Sequence, residues 1–98
     1  MSVTVLTRWN GGSRDQFVTA GKKVAPIFKN LGGEFRIGQI YSGPYAGQFM
    51  SSMRCPDWET YGRVMAAVAE DSKYQKALAE VLMFSQLADR TVIVGVEL

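Results

Sequence analysis

The chain has 98 residues, a formal net charge of +2 and 47% hydrophobic residues, which points to one folded domain with one core and argues against disorder. Such a mild charge gives no reason to expect a nucleic-acid or anionic-membrane partner. There is no histidine and a single cysteine, Cys55, so the commonest general base, the usual haem and zinc ligands and any intrachain disulfide are missing together.

No metal site and no cofactor are expected from this composition, and Cys55 reads as a small buried hydrophobe. No apolar run approaches the ~18 to 20 residues of a membrane span. The start, Met1-Ser2-Val3-Thr4-Val5, is a strand pattern without a basic leader region, so a cytoplasmic location is expected.

Ser2 to Trp9 alternates, with Val3, Val5, Thr7 and Trp9 on one face, and predicts a strand. Asn10-Gly11-Gly12 breaks it. Ser13 and Gln16 then stand at capping-box spacing, and Phe17, Ala20, Val24, Ile27 or Phe28, and Leu31 form one apolar stripe of a helix. Pro26 lies inside that pattern and predicts a kink near Lys22. Gly32-Gly33 supplies the stop.

Glu34 to Tyr41 and Gln48 to Arg54 predict two further strands around a turn-rich segment. Folding them about Tyr45 sets Tyr41 opposite Phe49 and Ile37 opposite Met53. Pro56 to Leu87 reads as a long helical run, with Pro56 at its first position and a break at Glu70-Asp71-Ser72. Ser72 and Gln75 repeat the capping-box spacing there. Ala88-Asp89-Arg90 releases a last strand, Thr91 to Leu98.

The order βαββαβ, with right-handed crossovers, predicts an α+β fold of the ferredoxin-like kind. Its four-stranded antiparallel sheet carries both helices on one face. The face away from the helices still holds Leu6, Ile40, Met50 and Ile93. A second subunit packed sheet to sheet would cover it, giving a homodimer. The plainer alternative is a monomer with scattered exposed apolar residues.

A short βαββαβ chain with two-sided strands resembles the dimeric α+β barrel superfamily. Its broken second helix, Trp58-Glu59-Thr60-Tyr61 followed by Glu70-Asp71-Ser72-Lys73-Tyr74, looks most like NIPSNAP-like members, and antibiotic-biosynthesis-monooxygenase-like proteins share the pattern. The resemblance implies an α+β barrel formed by two sheets. Among its members are cofactor-independent monooxygenases, haem enzymes, lactone isomerases and proteins of no known activity. The haem enzymes of this fold rely on an axial histidine that this chain lacks. An Asn near the end of the first strand and a Trp at the second helix are shared with some of the oxygenases, which makes Asn10 and Trp58, with Tyr61, the candidate catalytic residues. Their ordinary readings are turn chemistry for Asn10 and a core anchor for Trp58.

Arg36 and Arg54 carry the sharper expectation. With the hairpin folded about Tyr45 they fall opposite each other, and like charges so placed repel unless something negative lies between. Glu34, Asp57 or a partner-subunit carboxylate could fill that role, or a bound anionic ligand held by paired guanidinium groups. Tyr41, Phe49 and Trp9 complete the candidate ligand-binding set. RNA-binding domains of the same element order need a basic-Gly-aromatic signature, and Tyr45-Ala46-Gly47-Gln48-Phe49 lacks its basic lead. The expectation is therefore a dimeric protein that holds a small anionic or aromatic metabolite in a sheet–helix or inter-sheet cavity. The alternative is a cofactor-independent monooxygenase or isomerase acting on a small aromatic or enolisable substrate.

Overall fold

The computed structural model describes residues 1–98. The elements are β1 (Val3–Asn10), α1 (Arg14–Leu31), β2 (Glu34–Gln39), β3 (Phe49–Cys55), α2 (Trp58–Glu70), α3 (Ser72–Leu82) and β4 (Gln86–Val94). The strands form one sheet in the order β2-β3-β1-β4, and every neighbouring pair is antiparallel. This is the ferredoxin-like order expected from two right-handed βαβ units. No helix is long and apolar enough to cross a membrane.

β1 is one of the two central strands and shows why the helices lie where they do. Val3, Val5, Thr7 and Trp9 are all buried, while Thr4, Leu6 and Arg8 are only half-buried. The period-two alternation thus becomes a helix-covered face and an open face. α1 begins with the expected capping box. The Ser13 hydroxyl accepts the Gln16 N–H at 3.2 Å, and the Gln16 amide oxygen accepts the Ser13 N–H at 2.9 Å. Phe17, Ala20, Gly21, Val24 and Phe28 are its buried stripe. The helix runs unbroken past Pro26 and ends at Gly32, whose φ of 98° is readily open only to glycine. The Gly33 N–H then donates to the Phe28 carbonyl at 2.8 Å, closing the helix end.

Five expectations are corrected. The β2–β3 hairpin centres on residue 44, because Gly47 donates to the Ile40 carbonyl and Ile40 to the Gln48 carbonyl. The register therefore shifts by two: Phe35 faces Met53, Ile37 faces Ser51 and Gln39 faces Phe49. β2 stops at Gln39, short of Tyr41. α2 starts at Trp58 rather than Pro56, because the Asp57 carboxylate accepts the Thr60 N–H at 2.7 Å and so sets the N-cap. The break between α2 and α3 falls where expected, but its cap is Asp71, which accepts the Tyr74 N–H at 2.8 Å. Finally, α3 ends at Leu82 and β4 begins at Gln86, five residues before Thr91.

β4 carries a bulge near its start. Arg8 pairs with Asp89 and Trp9 with Leu87, so Ala88 is the extra residue. The bulge puts Leu87 and Arg90 on the same side of the sheet although three positions separate them.

The core divides in two. Val5, Val24, Phe28, Met53, Cys55, Val64, Val68 and Ala77 form one cluster, and Trp9, Phe17, Ala20, Phe49 and Val81 form the other. Each large apolar side chain so buried contributes about 1.5–3 kcal/mol. Cys55 is fully buried, and that burial pushes its thiol pKa up. Phe17 stacks on Phe49 with ring centroids 4.5 Å apart and meets Phe84 edge-on at 5.3 Å.

Candidate functional site

Between the two core clusters lies a cavity of about 90 Å³, floored by the sheet and roofed by α1, α2 and α3. Its lining is mostly apolar, with Trp9, Phe17, Phe28 and Phe35 contributing rings and Met53, Met65, Val81 and Leu78 filling the sides. Its polar side chains are Thr7, Ser51, Tyr74 and Arg90, beside the indole N–H of Trp9.

The register explains how these polar groups come together. Ile37 pairs with Ser51, Ser51 with Thr7, and Thr7 with Arg90. The four residues thus make one row across all four strands on the helix-covered face. The row on one side is Phe35, Met53, Val5 and Val92. The row on the other is Gln39, Phe49, Trp9 and Leu87. A hydroxyl-and-guanidinium row therefore runs between two largely apolar ones, at the seam where the core divides.

Within that row the Ser51 hydroxyl accepts the Trp9 Nε1–H at 3.1 Å. Its own proton is left for another acceptor. Thr7 is 5% exposed. Tyr74 reaches down from α3 and meets Phe28 edge-on at 5.4 Å. Burial pushes the Tyr74 phenol above its ordinary pKa, and the positive charge of Arg90 works against that rise. Arg90 enters none of the three ion pairs of the chain, which are Arg8–Asp89, Lys23–Glu80 and Arg36–Glu34. Gly21 makes room from above. A Cβ there would lie 2.6 Å from the Ile37 Cδ1.

The residues singled out from the sequence are dispersed. Trp9 lines the cavity, and Phe49 supports it from below through its stack on Phe17. Tyr41 is 98% exposed in the β2–β3 loop. Arg36 and Arg54 are not opposite each other. Arg36 faces Ser52, Arg54 faces Glu34, and the Glu34 carboxylate holds the Arg36 guanidinium at 2.6 Å. The repulsion inferred from the other register is absent, and the carboxylate considered as its neutraliser is the one that pairs.

Asn10 is exposed, and its carbonyl accepts the Ser85 hydroxyl at 3.1 Å beside two glycines of positive φ. Turn chemistry describes that environment. Trp58 is 52% exposed and meets Tyr61 edge-on at 5.6 Å, so it does not anchor the core. Neither Trp58, Tyr61 nor Asn10 lines the cavity. On the open face, Arg8 is held by three partners. It donates to Asp89 at 2.6 and 3.0 Å and to Gln48 at 2.6 Å, and lies 3.6 Å over the Tyr45 ring.

Sequence reasoning missed Thr7, Ser51 and Arg90 as site residues. Thr7 had a signal, being the one hydroxyl on the apolar face of β1. Arg90 had one too, two residues before Val92 on the same alternating face, but it lay outside the strand expected from Thr91.

No family model matches the chain, and no curated protein matches it. Solved structures match over nearly the full length. A mutant of SnoaB, a cofactor-independent oxygenase from Streptomyces nogalater, superposes with a TM-score of 0.74 at 12% identity, covering 99% of this chain and 95% of its own. A NIPSNAP family protein from Agrobacterium tumefaciens gives 0.71 at 11%, with the same coverage. A dimeric ferredoxin-like protein of unknown function from Thermobifida fusca gives 0.61 at 12%, covering 95% and 88%. The chain has a ferredoxin-like fold, as the Thermobifida fusca protein does.

Proposed function

We propose that this protein binds a small aromatic metabolite in the cavity between sheet and helices, and that it works as a homodimer joined through the open sheet face. The observation that carries the first part is the cavity itself: a ring-lined, largely apolar space with a few polar groups aimed into it, the usual makeup of a small-molecule site. Its about 90 Å³ is below the about 150 Å³ of an apolar cavity known to take up benzene. An occupant is therefore limited to one ring that the cavity only partly encloses, the rest of the molecule reaching out past β4.

The dimer is supported by the open face. Leu6 and Met50 are half-buried there and Ile93 is 46% exposed, and no element of the chain covers them. That the similar Thermobifida fusca structure is dimeric supports an assembly of two copies.

The test is calorimetric titration with benzoate, phenol and toluene. Saturable binding of one molecule per chain, lost when Ala77→Leu fills the cavity, is the expected result. No binding of any of the three removes this reading.

A second reading, oxygenation of a dihydroxyaromatic molecule without a cofactor, is favoured by the likeness to SnoaB. It predicts oxygen uptake with dihydroxyaromatic substrates that falls in Trp58→Phe or Tyr61→Phe. Uniform inactivity across such a panel leaves the binding role alone.

A further inference from the structure

We infer that the cavity selects a single-ring aromatic carboxylate with a hydroxyl across the ring, its carboxylate at Arg90 and its hydroxyl between Thr7 and Ser51. This rests on the reading of the cavity as a ligand site, and adds a ligand class and an orientation to it.

The polar row supplies the geometry. Adjacent strands lie ~4.8 Å apart, so Ser51, Thr7 and Arg90 stand at successive strand spacings along one line. Apolar side chains on both sides confine a flat molecule to that line. Ser51 and Thr7 lie on the two central strands, while Arg90 lies on the edge strand, where it is solvent-exposed. A ligand seated along the row is therefore dry at its hydroxyl end and wet at its charged end. That is the cheap way to hold an ion, because a fully buried carboxylate costs far more to desolvate.

Charge supplies the sign. No aspartate or glutamate lines the cavity. Asp89, the neighbouring carboxylate in sequence, is turned to the opposite face and held there by Arg8. Arg90 is left as the one charged group at the site, and a guanidinium presents paired donors that match a carboxylate.

The hydroxyl end follows from donor counting. Ser51 already accepts the Trp9 N–H, so it has a proton to give. Thr7 makes no side-chain hydrogen bond within the chain and can accept. A phenol hydroxyl placed between them accepts from Ser51 and donates to Thr7. A methyl group in that position would leave both hydroxyls unpaired.

Three probes separate the parts of this assignment by calorimetry: 4-hydroxybenzoate, its neutral counterpart 4-hydroxybenzamide, and 4-methylbenzoate, which lacks the hydroxyl. In the unaltered protein 4-hydroxybenzoate is expected to bind about 2- to 5-fold more tightly than the amide, the scale of an ion pair at an exposed site. Arg90→Gln, at an exposed position, is expected to bring that ratio to about one. Thr7→Val and Ser51→Ala should erase the preference for 4-hydroxybenzoate over 4-methylbenzoate and leave the carboxylate-to-amide ratio intact. Thr7→Val keeps the shape of the side chain, and its melting temperature checks that it folds. Equal binding of acid and amide to the unaltered protein, or a ratio unmoved by Arg90→Gln, overturns the place given to the anion. A hydroxyl preference that survives in the Thr7→Val, Ser51→Ala double variant overturns the place given to the phenol. Failure of all three probes to bind at all would instead defeat the cavity reading on which the assignment rests.

Discussion

The Trp9 indole donates its N–H to the Ser51 hydroxyl at 3.1 Å, from β1 to β3, across the seam where the core divides. One contact thus ties the cluster of Trp9, Phe17 and Phe49 to the polar row of the cavity floor. Ser51→Ala leaves the indole N–H without its acceptor in a part-buried place, and is expected to cost about 1 kcal/mol of stability. Trp9→Phe removes the donor together with packing and should cost more, about 2–3 kcal/mol. Urea unfolding of both and of the double variant checks this, and a coupling energy near zero would show that the hydrogen bond contributes nothing.

The C-terminal end of α1 depends on one backbone conformation. Gly32 has φ +98°, and a Cβ there would also lie 3.1 Å from the Thr60 side chain. Gly32→Ala should destabilise the protein by about 1–2 kcal/mol, against the usual gain from replacing glycine in a compatible site. Thermal unfolding reads the sign directly.

The N-cap of α2 gives a pH signature. Hydrogen bonding to Thr60 holds the Asp57 carboxyl below its ordinary pKa. A group whose folded pKa is depressed contributes stability above its unfolded pKa and loses it as pH falls through the folded value. Asp57→Ala should therefore melt lower than the unaltered protein at pH 7. The gap should close below the ordinary aspartate range, as the carboxylate of the unaltered protein takes up its proton. A difference in melting temperature independent of pH from 7 to 2 would contradict the cap's ionic character.

Met50 stands on the open face beside Arg8, with Leu6 and Ile93 nearby. If two copies meet through this face, Met50→Glu places a charge in the contact and should convert a dimer to a monomer or unfold it. Light scattering on both proteins decides. A monomer indifferent to the change would remove the dimer.

Much of the fold was legible because local chemistry and the hydrophobic period agreed. β1 alternates without interruption, Ser13 and Gln16 cap α1 as their spacing says, and the break before Ser72 falls where an acidic and small-residue run places it. The hairpin register was not legible, because Ser42-Gly43-Pro44-Tyr45-Ala46-Gly47 offers several turns of equal merit. A shift of two keeps every side chain on its face, so the apolar pattern cannot choose between them. That shift is what exchanged an apparent Arg36–Arg54 pair for Arg54 facing Glu34. The candidate site was less legible still. Arg90 sits in Ala88-Asp89-Arg90, which reads as a polar release of the chain. It lies two residues before Val92, in the same unbroken register, and so on the same face, but it fell outside a strand expected to begin at Thr91. Its face follows the alternation of Val92 and Val94, but its alignment with Thr7 and Ser51 depends on pairing between segments some eighty residues apart.

The most direct test of the central claim is to locate the bound molecule by methyl NMR during titration with 4-hydroxybenzoate. Ring-current shifts on the methyls of Ala77, Val24 and Val81, which line the cavity, with those of Leu6 and Ile93 on the open face unmoved, are the predicted result. Shifts confined to Leu6 and Ile93, or none at saturating ligand, would contradict it.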